Sequence, residues 1–275
     1  MRTGIKQFLL IAGAAGLTVL LYFAPQKVKK PFDNAQGKEK EGEAFSFNTI
    51  LSEAKGSLKR QEAERISSIE SVYLKDTTSE VLLDSLGKAW DAVSMPQVSA
   101  HYFELLAERK PDEKHWINAA FRYFDAFKIS ADSTFRKMNV EKAIASYKKV
   151  LEINPKNLDA KTDLGICYAE GTNSPMQGIM MLREVVQENP KHEMALFNLG
   201  VLSIKSGQYD KAVDRFEKVL EVNPNNKEAR FLLGRTYLSM GKSDLALQNL
   251  QMIKNTSDSE FNTEVNNLIS QINNQ

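Results

Sequence analysis

Few groups in this chain are spaced as a reaction would need them. Gly241-Lys242-Ser243 has the ending of a phosphate-cradling loop, but such a loop requires a glycine five residues earlier and a strand leading into it. Thr236 stands there instead, so no nucleotide site is expected. Cys167 is the single cysteine. It can form no intrachain disulfide, no histidine lies near it in the sequence, and its place beside Ile166 predicts a small core residue rather than a nucleophile. His101, His115 and His192 are too widely separated to make a metal-ligand pair on one helix. There is no strained serine elbow and no short-range pair of carboxylates for hydrolysis. The expectation is a chain that is not an enzyme, with no catalytic residue, no cofactor, no metal and no small-molecule substrate.

Charge narrows the partners. Lysine and arginine total 36 against 35 acidic residues over 275 positions, and a polyanion surface needs a concentrated basic excess. No nucleic acid is expected. Residues 1 to 30 carry Arg2, Lys6, Lys27, Lys29 and Lys30 with no acid among them, so the remainder is mildly acidic.

The elements that position these residues are clearest between Glu193 and Asn226. Leu196, Leu199, Gly200 and Leu202 recur at helical spacing until Ser206-Gly207-Gln208 breaks the pattern. Ala212, Val213, Phe216, Val219 and Leu220 then line one face of a second helix, which stops at Asn223-Pro224 because proline cannot continue it. A helical hairpin this short cannot bury both apolar faces alone, so copies must stack beside it.

Copies are present. Leu199-Gly200 is followed 34 residues on by Leu233-Gly234 and preceded by Leu164-Gly165. Leu164-Gly165-Tyr168 continues to Gly178, Leu182, Val185 and Pro190; Leu199-Gly200 to Ala212, Phe216, Val219 and Pro224; Leu233-Gly234-Tyr237 to Ala246, Leu250 and Ile253. In this the chain resembles the tetratricopeptide-repeat family, whose hallmark is that pattern at that period. Trp116, Ala119, Ala120 and Tyr123 match a first helix and Ala143, Tyr147, Val150 and Pro155 a second, with about eleven extra residues between them. Ile129 to Thr134, within that addition, reads as a polar loop. Leu86-Gly87-Trp90 with Phe103, Leu106 and Pro111 reads as a degenerate first repeat, with Ser99 for the small alanine and Pro96 near the second helix's start. Gly178 for alanine and Ser203 for tyrosine are further departures.

The resemblance implies an all-α fold: a right-handed superhelical solenoid of about five hairpins, over 80–112, 113–157, 158–192, 193–226 and 227–258, closed by a capping helix over 259–275. It also implies that first helices line a concave groove. The matching positions are Ile117, Phe121, Phe124, Thr162, Ile166, Phe197, Val201, Phe231 and Arg235, a mostly apolar row suited to a helical or extended apolar segment of another protein. The family's clamp for a terminal carboxylate is not matched: Asn198 fits one position, but Thr162, Ile166, Glu228 and Leu232 occupy others.

Ahead of the repeats, Phe8 to Ala24 is an uncharged apolar run near the length needed to span a bilayer. A single-pass N-terminal transmembrane helix with basic flanks over 1–30 is the leading expectation, with a cleaved signal peptide as the alternative. The flanks leave orientation ambiguous, and the expected placement is a bacterial inner membrane with the repeats in the periplasm. Residues 31–46 read as a solvated linker. Within 47–79, Phe47, Leu51, Ala54 and Leu58 form a stripe that Ile66, Ile69 and Tyr73 continue out of phase, predicting a helix packed on the repeats rather than a coiled-coil stalk. The expected function is a membrane-anchored protein-protein interaction scaffold or adaptor, or alternatively an accessory subunit that docks a catalytic partner in an envelope or secretion complex.

Overall fold

The computed structural model describes residues 47–254 and 258–274. The apolar run 8–24, its basic flanks and the linker 31–46 lie outside the described residues. Thirteen helices and no strand are found among those described, and none of these helices is long and apolar enough to cross a membrane. The chain divides into two compact units, one ending at Leu105 and the other starting at Leu106.

In the first unit, α1 (Phe47–Gly56) and α2 (Arg60–Tyr73) replace the one helix expected before the repeats. The phase shift in the apolar stripe marks the break between them at Ser57–Lys59. Lys55 of α1 pairs with Glu70 of α2 at 2.6 Å. α3 (Glu80–Ala92) and α4 (Pro96–Arg109), whose last four residues belong to the second unit, follow, with Leu83, Leu86 and Trp90 fully buried and Phe103 nearly so. Gly87 is required where these helices cross, since a Cβ there would lie 2.7 Å from the Phe103 ring. Ser99, the departure from alanine, is fully buried. Its hydroxyl lies 2.9 Å from the Gly87 carbonyl and 2.6 Å from Asp91 Oδ1, so the polar group is satisfied. Pro96 opens α4, where its missing N–H costs nothing. His101 stacks on Phe47 at 3.5 Å between ring centroids, tying α1 to α4.

The second unit is a stack of hairpins: α5 (Glu113–Ile129) with α6 (Ser133–Ile153), α7 (Leu158–Gly171) with α8 (Pro175–Glu188), α9 (Glu193–Lys205) with α10 (Tyr209–Val222), and α11 (Lys227–Ser239) with α12 (Ser243–Gln251). Each second helix except the last also packs on the next first helix, and α13 (Ser259–Asn273) packs on α12. The additional residues of the first hairpin do not form the expected loop. Only 130–132 are non-helical there, while α5 is four residues longer than α9 and α6 seven longer than α10. These are close to one and two whole turns, so the buried faces of both helices keep their phase.

A repeated device holds the far end of the hairpins. Glu113 at the start of α5 accepts from Asn154 Nδ2 at 3.1 Å and Asn157 Nδ2 at 2.8 Å. Glu193 at the start of α9 accepts likewise from Asn223 and Asn226, at 2.9 and 2.8 Å. The corresponding turn after α8 substitutes His192, whose Nε2 lies 3.1 Å from Asp159 of α7. Ser203, where tyrosine is usual, is buried beneath Arg215 of α10, whose guanidinium donates to the Ser203 hydroxyl and, at 2.7 Å, to the Leu199 carbonyl.

Candidate functional site

The nine residues of the expected groove lie on four first helices. Each pair four residues apart shares a helical face: Ile117 and Phe121, with Phe124, on α5; Thr162 and Ile166 on α7; Phe197 and Val201 on α9; Phe231 and Arg235 on α11. The helix starts are fixed by side-chain caps that satisfy otherwise orphaned amides. Asp112 accepts from the His115 amide at 2.9 Å, Asn157 from Ala160 at 2.8 Å, His192 from Ala195 at 3.3 Å and Asn226 from Ala229 at 2.8 Å. The pairs therefore recur at equivalent heights.

Seven of the nine are half-buried; Thr162 and Phe231 are buried. Thr162 donates its hydroxyl to the Leu158 carbonyl of its own helix at 2.8 Å and has no exposed surface. Ile166 packs against the core made by Leu182, Val185, Ala195 and Leu199. Phe197 meets Phe216 edge-on at 5.8 Å. Phe124 stacks on Phe127 at 5.4 Å, with Lys128 Nζ 5.0 Å from its ring centroid. At the last hairpin Phe231 is covered by Phe261 of α13, the ring centroids 5.5 Å apart. Arg235 lies over the Phe231 ring at 5.7 Å and faces Glu264 of α13 electrostatically. The row is thus an apolar ledge whose members are partly sunk into the repeats.

The same helices carry a polar flank that motif spacing did not reveal. Lys128 pairs with Asp125 at 2.9 Å, and Lys205 of α9 reaches Glu170 of α7 at 3.1 Å. His192 hydrogen-bonds Asp159 and holds its carboxyl below the usual carboxylate range. Asp163 is pushed up to about 7 by burial, against the pull of a hydrogen bond from the Tyr147 hydroxyl. Burial likewise pushes the Cys167 thiol well up, which leaves it a core group without thiolate character. No sequence signal marks Asp163, because the partner that matters is a tyrosine on the preceding helix. Among the described residues, no group of three His, Cys, Asp or Glu side chains could hold a metal ion. The first helices thus carry half-buried apolar side chains together with the ion pairs Lys128–Asp125 and Lys205–Glu170.

Residues 203–272 match a family model described as tetratricopeptide repeat, and residues 136–157 match a second model of the same description. Among solved structures, the chain is similar to a tetratricopeptide repeat protein from Parabacteroides merdae, with 16% identity and a TM-score of 0.54 over 75% of this chain and 78% of that one. It is similar to TTC0263, a thermophilic TPR protein of Thermus thermophilus, with 18% identity and a TM-score of 0.52 over 72% of this chain and all of that one. It also resembles the APC/C hetero-tetramer Cut9-Hcn1, with 14% identity and a TM-score of 0.55, covering 84% of this chain and 43% of that one. No curated protein matches the chain. At these identities the structural likeness shows the fold, and together with the family models it shows that the chain carries tetratricopeptide repeats.

Proposed function

We propose that this carrier of tetratricopeptide repeats is a membrane-anchored scaffold or adaptor that holds segments of partner proteins along its first helices. Proteins built of such repeats generally mediate protein-protein interactions, through the extended surfaces that stacked hairpins create. The observation that carries the reading is the half-buried state of Phe121, Phe124, Ile166, Phe197 and Val201 on three successive first helices. Apolar side chains that the core does not consume, repeated at one height, suit a helical or extended apolar segment. Phe121→Glu and Val201→Glu in the full chain test it by co-purification from native membranes. Loss of a partner recovered with the parent chain, with helicity and melting unchanged, supports the reading, and undiminished recovery by both variants overturns it.

The anchor rests on the uncharged run Phe8 to Ala24 and its basic flanks. In this reading the run holds the chain in a bacterial inner membrane and the repeats face the periplasm. Protease added to spheroplasts should then remove the repeats without lysis. Repeats that resist until the membrane is broken would reverse the orientation, and repeats released into the supernatant would remove the anchor.

A further inference from the structure

The last site of the row differs from the others in being occupied. Phe231 and Arg235 of α11 hold the positions that Phe197 and Val201 hold on α9, four residues apart and ahead of equivalent Gly turns. On α9 the pair is half-buried; on α11 Phe231 is 3% exposed, because Phe261 of α13 lies on its ring. Three residues along α13, the Glu264 carboxyl is raised by burial and drawn back down by the charge of Arg235, so the two side chains interact electrostatically. An aromatic residue and a carboxylate at i and i+3 share one face of a helix, so α13 presents one apolar and one anionic group to two successive positions of the row.

The occupant is weakly held. The internal first helices of the stack are flanked by second helices on both sides, whereas among the described residues α13 packs mainly on α12 and touches α11 through Phe261. Its buried residues are confined to Val265, Ile269 and Ile272. Glu264 Oε2 is buried without a hydrogen-bond partner, a cost that docking must overcome each time it forms. Elements with few buried contacts and an unsatisfied polar group open at lower free energy than the body they rest on.

We propose that α13, Ser259–Asn273, is a displaceable intramolecular occupant of the last recognition site, and that a partner segment reaching α11 must be a helix carrying an aromatic residue with a carboxylate three positions on. The second half of this statement rests on the reading of the first helices as a partner surface; the first half does not. Because the tethered helix acts at an effective concentration of about millimolar, a free segment of the same chemistry gains access only when the tethered copy is weakened.

The test uses the full chain in mild detergent and, as probe, a labelled peptide with the sequence of residues 258–275. Phe261→Ala with Glu264→Ala should bind the peptide at least tenfold more tightly than the parent chain, and adding Arg235→Ala should remove that gain. Equal affinity of parent and double variant overturns the proposal. A second measurement needs no variant: in the parent chain, amides of α13 should exchange at least tenfold faster than those of α11 and α12. Exchange of all three helices as one unit makes α13 a fixed structural cap and also overturns it. Neither readout involves an external partner, so both stand or fall separately from the co-purification experiment.

Discussion

Gly178 and Gly165 meet backbone to backbone where α7 crosses α8. A Cβ on Gly178 would overlap the Gly165 carbonyl oxygen and lie 2.6 Å from the Ala169 nitrogen, and one on Gly165 would lie 3.1 Å from the Gly178 carbonyl. The following hairpins carry a fully buried alanine, Ala212 or Ala246, where this one has Gly178, and their first-helix glycines stand against Phe216 and Leu250 as Gly165 stands against Leu182. Gly178→Ala restores the residue usual in these repeats and gains about 1 kcal/mol of helix propensity. It also forces the two backbones apart, at about 1 to 3 kcal/mol for an overpacked contact. The net expectation is a lower thermal midpoint by circular dichroism; a higher midpoint would show that the crossing yields.

Gly200 faces a ring, and the ring decides the cost of filling it. A Cβ there would stand 2.7 Å from Phe216 Cε1, whereas Gly165 and Gly234 face Leu182 and Leu250 at 3.2 and 3.0 Å. Gly200→Ala should therefore destabilise by about 1 to 3 kcal/mol. Phe216→Leu in the same chain should recover at least about 1 kcal/mol of that, a coupling that urea denaturation of the double-mutant cycle measures. Strict additivity would place the strain elsewhere.

Ser94 sits at φ 58°, in the turn position where the later hairpins have Gly207 at 70° and Gly241 at 71°. In each, the next residue's amide closes the turn on a carbonyl five residues back, Met95 to Trp90, Gln208 to Ser203 and Lys242 to Tyr237. A side chain in the left-handed region costs about 1 to 2 kcal/mol, part of which glycine returns as chain entropy on unfolding. Ser94→Gly should stabilise by about 0.5 to 1 kcal/mol. A fall in the denaturation midpoint would contradict the turn geometry.

Asp163 makes stability depend on pH in a definite direction. Its carboxyl titrates at about 7 in the folded chain and at about 3.9 when unfolded. Between those values the folded state binds the extra proton, so stability falls as pH rises from about 4 through about 7, by at most about 1.4 kcal/mol per unit. Asp159 acts oppositely: its depressed value means that its contribution is lost as acid is added below its unfolded range. Asp163→Asn should flatten the profile between pH 5 and 8 relative to the parent chain. Parallel profiles would show that Asp163 ionises as freely folded as unfolded.

What could be read from the amino-acid sequence was what lies within one hairpin. Leu199-Gly200 with Ala212 and Phe216 encodes a crossing because all four residues fall within one folded unit of chain, and the structure places Phe216 and Ala212 fully buried there. Departures were legible as departures but not as solutions: Ser99 is satisfied by Gly87 and Asp91, and Ser203 by an arginine twelve residues on. The polarity of Ile129 to Thr134 predicts a loop, yet residues 131–134 are exposed at the tip of a long hairpin, and polar residues suit exposed helix equally well. The repeat pattern places Phe231 on the row. That Phe261 covers it depends on how the end of the stack closes, which local spacing does not specify.

The lengthened hairpin has a mechanical corollary. Glu113 and its two asparagines fix one end of α5 and α6 at the same level as the equivalent set on the α9 hairpin, so all added length emerges at the opposite end. At 1.5 Å per residue the two helices are roughly 6 and 10 Å longer than those of the α9 hairpin. Growth by complete turns lets such a spar be extended or trimmed in fixed steps while its roots stay seated, making its reach a quantity that can change without re-engineering what surrounds it.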